Sequence, residues 1–372
     1  MNQRKKCCAQ KDAKRLNKVG GQAVIEGVMM KAGERTVTTC RKEDKTLVVY
    51  DGKFVSVRKK LKFLNIPILR GFINFIEMMI LSMKTLSNSA DALGIEEEET
   101  RFEKWLKKHF GIGATFIIMA ISVVLAVALS LSLFMFLPIF ISNLIDTYIF
   151  SGQLGVWWST AIEGILKVTI FVLYLWLVSL IPDIKRTFMY HGAEHKSIAC
   201  FESGTELSPE NAKNYTRFHP RCGTSFMFVM ILLGIFAGMF VKLLWTGLGK
   251  WEYAGIRILI LPIVMGIGYE FIMFAGKHNN FVTRALSAPG LWMQRLTTKE
   301  PTEDMLEVAI ISIKCALRDD FPEFKEFYEA KPWEKKEEVA EDVKTDDVCS
   351  AEKAEEQSES GESEENEAID GN

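Results

Sequence analysis

The chain has 372 residues, 48% of them hydrophobic and 25% charged, with 45 Lys and Arg against 47 Asp and Glu. The charges are segregated: residues 334–372 hold 16 acids and 4 bases, so a body of net charge +10 carries a tail of −12. This partition excludes a simple soluble globule and a chain disordered throughout, and seven cysteines without a CxxC pair exclude a disulfide-rich secreted domain.

Residues 1–18 form a basic arm with no apolar run behind it, so no cleavable signal peptide is expected. The odd cysteine count points to a reducing compartment, with Cys7 and Cys8 as free surface thiols. Residues 19–57 read as a small β-containing element. The β-branched runs 36–39 and 46–50 flank the charged turn 41–45, which predicts a hairpin. Gly20, Gly21, Gly27 and Gly33 fit neither GxGxxG nor GxxxxGK[ST], so no nucleotide fingerprint is present.

Residues 64–90 predict an amphipathic helix. Its apolar run over 64–86 is crossed by Arg70, Asn74, Glu77 and Lys84 along one stripe. A helix in the membrane interface, or dipping partly into the bilayer, fits this pattern. A fifth span with its polar stripe turned to a bundle is the alternative.

Four stretches, 113–137, 160–182, 224–245 and 255–275, are long and apolar enough to cross a bilayer, which takes about 20 residues. The loops between them set the orientation. Loop 138–159 has no Lys or Arg, whereas 183–223 has Lys185, Arg186, Lys196, Lys213, Arg217 and Arg221. Both termini and the second loop are therefore expected on the cytoplasmic side, with Trp157, Trp158, Trp245 and Trp251 as anchors at the outer ends. Residues 276–330 read as cytoplasmic interfacial helices; over 302–317, Leu306, Ala309, Ile310, Ile313 and Leu317 share one apolar face. The Glu- and Ser-rich stretch 331–372 reads as a disordered tail. The expected fold is thus a mainly α membrane protein. It has about four transmembrane helices, one or two amphipathic interfacial helices, a small N-terminal β-hairpin element and a disordered acidic C-terminal tail.

The second loop carries the chemistry. His191 and His195 stand four apart, one helical turn, where two imidazoles can grip one metal ion. Glu194 between them completes the order H-x-x-E-H, the reverse of H-E-x-x-H. In inverted zinc peptidases that Glu is no ligand; it moves a proton as general base. His219 and Cys222 follow in the same loop and supply a third ligand, or a third and a fourth. Glu270, a carboxylate inside the fourth span, is a further candidate ligand or proton relay, because such a group is costly to bury. Glu26 and His278 are weaker candidates.

These residues leave three classes of function. An open three-ligand site predicts a metal-dependent hydrolase at the cytoplasmic surface, using zinc or another divalent metal, with a membrane-proximal peptide or a lipid as substrate. A closed shell of His191, His195, His219 and Cys222 predicts a structural zinc in a scaffold or assembly factor. A transporter is the least supported, since no inverted repeat is visible. The expected partners are the bilayer, anionic lipids drawn by the basic body and a membrane-protein substrate, with no nucleic acid. Glu163 and Lys167, four apart, read as an intrahelical ion pair, and Gly234 and Gly238 as a close-packing GxxxG pair.

The stretches 20–30 (GGQAVIEGVMM), 67–71 (PILRG), 190–196 (YHGAEHK) and 219–225 (HPRCGTS) resemble the YqhQ-like bacterial membrane proteins, over about residues 18–317. That family is a domain of unknown function labelled only as a predicted metal-dependent enzyme. The resemblance implies an inner-membrane location and a metal. It implies no reaction.

Overall fold

The computed structural model describes residues 15–94, 109, 113–245, 247–277 and 281–324. By internal contacts the chain divides after Leu317. The described part of the second unit, 318–324, carries the 3-10 turn Pro322–Phe324. His278 and the acidic tail lie outside the described residues.

The N-terminal element is larger than a hairpin. Strands β1 (Val19–Val24), β2 (Gly27–Ala32), β3 (Arg35–Arg41) and β4 (Leu47–Lys53) form an antiparallel sheet in the order β1-β2-β3-β4. The expected hairpin is the β3–β4 pair, in the register Thr38 to Tyr50 and Thr39 to Val49. The glycine-rich lead-in forms the other two strands, with Gly21 opposite Met30. Both faces of the central strands are buried. One face, with Val24, Met29 and Cys40, meets Leu81 and Ala92 of helix α1 (Leu69–Ala92). The other lies under α9 (Glu303–Ala316), whose buried Ser312 hydroxyl donates to the Val28 carbonyl at 2.7 Å and bonds the Thr39 hydroxyl at 2.9 Å.

The apolar face of 302–317 is therefore covered by protein. Leu306, Val308, Ala309 and Ile313 of α9 are at most 1% exposed, against β2, β3 and helix α5 (Pro182–Glu202). Helical periodicity shows that a face is apolar, and does not show whether a sheet or a lipid covers it.

Among the described residues, four helical segments are long and apolar enough to span a membrane. The first, Ala120–Ile149, joins α2 (Gly113–Leu131) to α3 (Leu137–Ile149) through one π-helical turn, Ser132–Phe136. The others lie in α4 (Val156–Val178), α6 (Gly223–Leu244) and α7 (Lys250–Lys277). The first span thus continues to Ile149, past the expected end at 137. Pro138 reads as a helix breaker, but the wide turn before it breaks the regular bond ladder already, and the helix resumes. Helix α8 (Phe281–Thr297) returns the chain along α6.

Helix α1 packs along α7, so it is fixed to the bundle as well as to the sheet. Three residues of its polar stripe are satisfied by protein: Arg70 forks onto Glu270, Asn74 accepts from Arg58, and buried Glu77 accepts from the Val57 N–H and the Ser56 hydroxyl. A second stripe, Ile76, Met79, Ile80 and Met83, is exposed and apolar, and it faces away from these contacts.

A candidate metal centre

Helix α5 follows α4 after a short break and starts with Pro182 and Asp183 in its first turn. A missing N–H is harmless there, and a negative charge meets the positive helix end. One turn separates His191 from His195, and their ring centroids are 4.5 Å apart. The 203–222 segment returns to this face and ends on Cys222, the N-cap of α6, whose sulfur accepts the Thr224 N–H.

The ligand atoms of His191, His195 and Cys222 lie within 4.8 Å of one another. The Cys222 sulfur is 3.3 Å from His191 Nε2. Around a tetrahedral zinc, N and S ligands at about 2.05 and 2.3 Å stand about 3.5 Å apart, so the donor set fits such an ion. The outer sides of the rings fit as well. Nδ1 of His191 faces the Thr297 carbonyl at 2.8 Å, and Nδ1 of His195 faces the Arg217 carbonyl at 2.5 Å. A carbonyl only accepts, so both rings carry their proton on Nδ1 and turn the Nε2 lone pair inward, the tautomer a metal ligand needs.

Close backbone approach builds this arrangement. A Cβ on Gly192 would fall 2.0 Å from the Lys299 carbonyl oxygen. The bare glycine lets 297–301 cross α5, where the Lys299 N–H donates to the Phe188 carbonyl at 2.8 Å. Buried Lys196 pairs with Glu300 at 2.7 Å and ties the same segment down.

Glu194 is 5% exposed beside His191. Burial pushes its carboxyl up to about 7, against the opposing pull of His191. Strand β1 passes directly over it: a Cβ on Gly21 would lie 2.8 Å from its Cγ.

His219 is adjacent to the cluster and outside it. Its ring centroid is 5.6 Å from that of His195, but its Nε2 turns to Glu202 at 3.8 Å and Arg221 at 3.4 Å. Burial holds His219 down at about 4, and so neutral, although Glu202 pulls the other way. Burial alone would raise Glu202; the hydrogen-bonded Arg221 guanidinium, with the His219 ring beside it, holds it down at about 2. The His219 backbone is gripped by Gln294 of α8, which accepts its N–H at 2.8 Å and donates to its carbonyl at 2.7 Å.

Two other candidates are placed elsewhere. Glu270 is held by Arg70, and Glu26 by the Arg186 fork and the Tyr190 hydroxyl. Two supporting residues escaped the sequence reading. Glu202 stands seven residues after His195, two turns along the imidazole face, which is a usable signal. Gln294 is a lone amide between Met293 and Arg295, and nothing in its neighbours marks it.

The family described as protein of unknown function (DUF1385) matches residues 66–319. The uncharacterized protein YqhQ of Bacillus subtilis (strain 168) is 37% identical over 305 residues, covering 80% of this chain and 92% of that protein. No solved structure matches. The matched region takes in every residue of the His–Cys cluster and all four apolar helices, and the chain belongs to the DUF1385 family of YqhQ-like proteins.

Proposed function

We propose that this protein is a metal-dependent hydrolase of the bacterial inner membrane. His191, His195 and Cys222 hold the ion, and Glu194 is the general base. One observation carries the reading: three ligand atoms lie within 4.8 Å of one another, two of them on rings whose outer nitrogens are fixed by backbone carbonyls. Three protein ligands leave a fourth position for water or substrate, the pattern of catalytic rather than structural zinc sites. The engagement of His219 with Glu202 supports the open set over the closed set of four. Two imidazoles and a thiolate favour zinc among common divalent ions.

A divalent ion bound there supplies Lewis acidity and acidifies water. The chain's own residues do the rest. Cys222 binds as thiolate, and the carbonyls of Thr297 and Arg217 keep both rings in one tautomer. Glu194, buried beside His191, is placed to take a proton from the attacking water and return it to the leaving group.

The basic loop 183–223 argues for a site on the cytoplasmic side, with both termini there as well. Helix α5 rises directly from span α4, so a substrate would be met where it leaves the bilayer: a peptide segment of a membrane protein, or a lipid ester. The exposed stripe Ile76, Met79, Ile80 and Met83 of α1 suits the interface beside it.

Elemental analysis of the purified full-length protein tests the site. One metal per chain, lost in His191→Ala and Cys222→Ala, is expected. Membrane extracts incubated with wild type or Glu194→Gln then test the reaction. New hydrolysis products with wild type only, at equal metal content, are expected; identical product profiles would sink the assigned base.

A further inference from the structure

The opposite end of the bundle carries a second cluster of charge that the metal chemistry does not use. Cys222 and Lys242 stand at the two ends of α6, 20 residues apart, which is about 30 Å along a helix. Around the Lys242 end, Glu163 of α4 is 3% exposed and meets three cations. Arg257 of α7 donates to its Oε1, Lys167 lies 3.6 Å from the same oxygen, and Lys242 lies 3.3 Å from Oε2. The Tyr253 hydroxyl reaches Oε2 at 3.5 Å. Gly238 makes the room, since a Cβ there would meet the Arg257 guanidinium and the Tyr253 hydroxyl at 2.9 Å. The Glu163–Lys167 pair expected from the sequence is real, but it is one edge of this larger network.

One carboxylate neutralises one of the three cations. Two positive charges remain in excess within helices otherwise lined with apolar residues, where an unbalanced charge is costly. Two further observations point to a ligand. A cavity of about 300 Å³ adjoins the cluster, lined by Ser142, Asn143, Glu163, Lys242, Trp245 and Tyr253. On the same face of α4 as Glu163 and Lys167, the buried Thr160 hydroxyl has no hydrogen-bond partner among the described residues.

We infer that this cavity binds a phosphate-bearing anion, with Lys242 as its principal contact and Lys167 and Arg257 supplying the balancing charge. Lys242 is the accessible cation, its side chain 24% exposed, whereas Lys167 and Arg257 are buried. The depth favours a lipid headgroup as the source of the phosphate. Trp157, Trp158, Trp245 and Trp251 are exposed at this end of the helices, as interfacial anchors are. Lys242 lies three residues inside Trp245, and Arg257 six inside Trp251, so about 4–9 Å below that belt. The inference is independent of the hydrolase reading and of the metal.

The full-length protein, released from nanodiscs of phosphatidylcholine with a minor fraction of phosphatidylglycerol, can be weighed by native mass spectrometry. One tightly held phosphatidylglycerol per chain is expected, bound about tenfold more weakly in Lys242→Met, the loss of one charge-assisted contact. Asn143→Leu removes a polar side chain that lines the cavity, at similar volume, and is expected to weaken binding severalfold, so the test survives if Lys242→Met fails to fold. A parallel titration with inorganic phosphate in neutral detergent separates the sources. Lys242-dependent binding of phosphate alone assigns the site to a soluble anion, and selective retention of phosphatidylglycerol assigns it to a lipid. If neither probe distinguishes wild type from both variants, at unchanged metal content and melting temperature, the site does not exist.

Discussion

The Cys222 sulfur lies 3.3 Å from Nε2 of His191, although 31 positions separate them in the chain. Helix α5 presents the imidazole, and the N-cap of α6 presents the sulfur. The contact therefore exists only when the start of a membrane helix is docked on a helix outside the bundle. A metal at this junction would couple the fold of the two layers to ion binding.

That coupling can be measured with cobalt as a spectroscopic probe. Reconstitution of the apo protein with Co²⁺ is expected to give a thiolate-to-cobalt charge-transfer band. Cys222→Ser should abolish the band while leaving weaker cobalt binding through the two imidazoles. His219→Ala should retain the band, because that ring turns to Glu202. A band that survives Cys222→Ser, or disappears in His219→Ala, would show that the ligands are wrongly chosen.

Gly192→Ala tests the backbone crossing behind the rings. The added methyl would sit 2.0 Å from the Lys299 carbonyl, so 297–301 must move, and the Thr297 carbonyl that holds His191 Nδ1 moves with it. Loss of such an outer contact costs about 10–100-fold in metal affinity. Competition with a chelator reads this directly. Wild-type affinity in the variant would mean that the Thr297 carbonyl does not tune the site.

Much of this site was legible because helical geometry converts spacing into position. The four-residue interval of His191 and His195 needs only a helix, and one is present. Cys222 was visible as a nearby soft ligand. The pairing of Glu270 was not legible: an acid inside a span is costly unless paired, and its partner Arg70 lies 200 residues earlier, beyond any local pattern. The glycine-rich strand β1 was missed because glycine is a poor strand former in isolation. Its hydrogen bonds come from β2, and Gly21 serves a contact with Glu194 that sequence cannot show.

The Glu202 network sets an acid limit on stability. Its carboxyl is held at about 2 in the folded chain against an ordinary 4.5, so the unfolded chain takes up the proton first as pH falls. The stabilisation, about 3 kcal/mol at most, is complete above pH 4.5 and is lost as pH falls toward 2. Glu202→Gln is expected to lower the melting temperature at pH 7, since it strips Arg221 and His219 of their charged partner. Below pH 3 the difference from wild type should shrink. A gap that stays constant from pH 7 to pH 3 would assign the loss to packing instead of charge.

Gly21→Ala separates metal binding from proton transfer without a substitution in α5. The new methyl would lie 2.8 Å from Glu194 Cγ and 2.9 Å from its Oε1, and the opposing Met30 sulfur, also at 2.8 Å, blocks escape on that side. Glu194 must therefore shift, or β1 must lift from it. None of the three atoms nearest this methyl belongs to His191, His195 or Cys222, so metal stoichiometry should be unchanged. A misplacement of about 1 Å in a catalytic group can cost about 100-fold in rate. The expected phenotype is a metal-loaded protein with the product profile of Glu194→Gln. Full turnover in Gly21→Ala, with Glu194→Gln inactive, would show that β1 plays no part in aiming the carboxylate. Loss of metal in Gly21→Ala would show that the sheet holds the ligand helix itself.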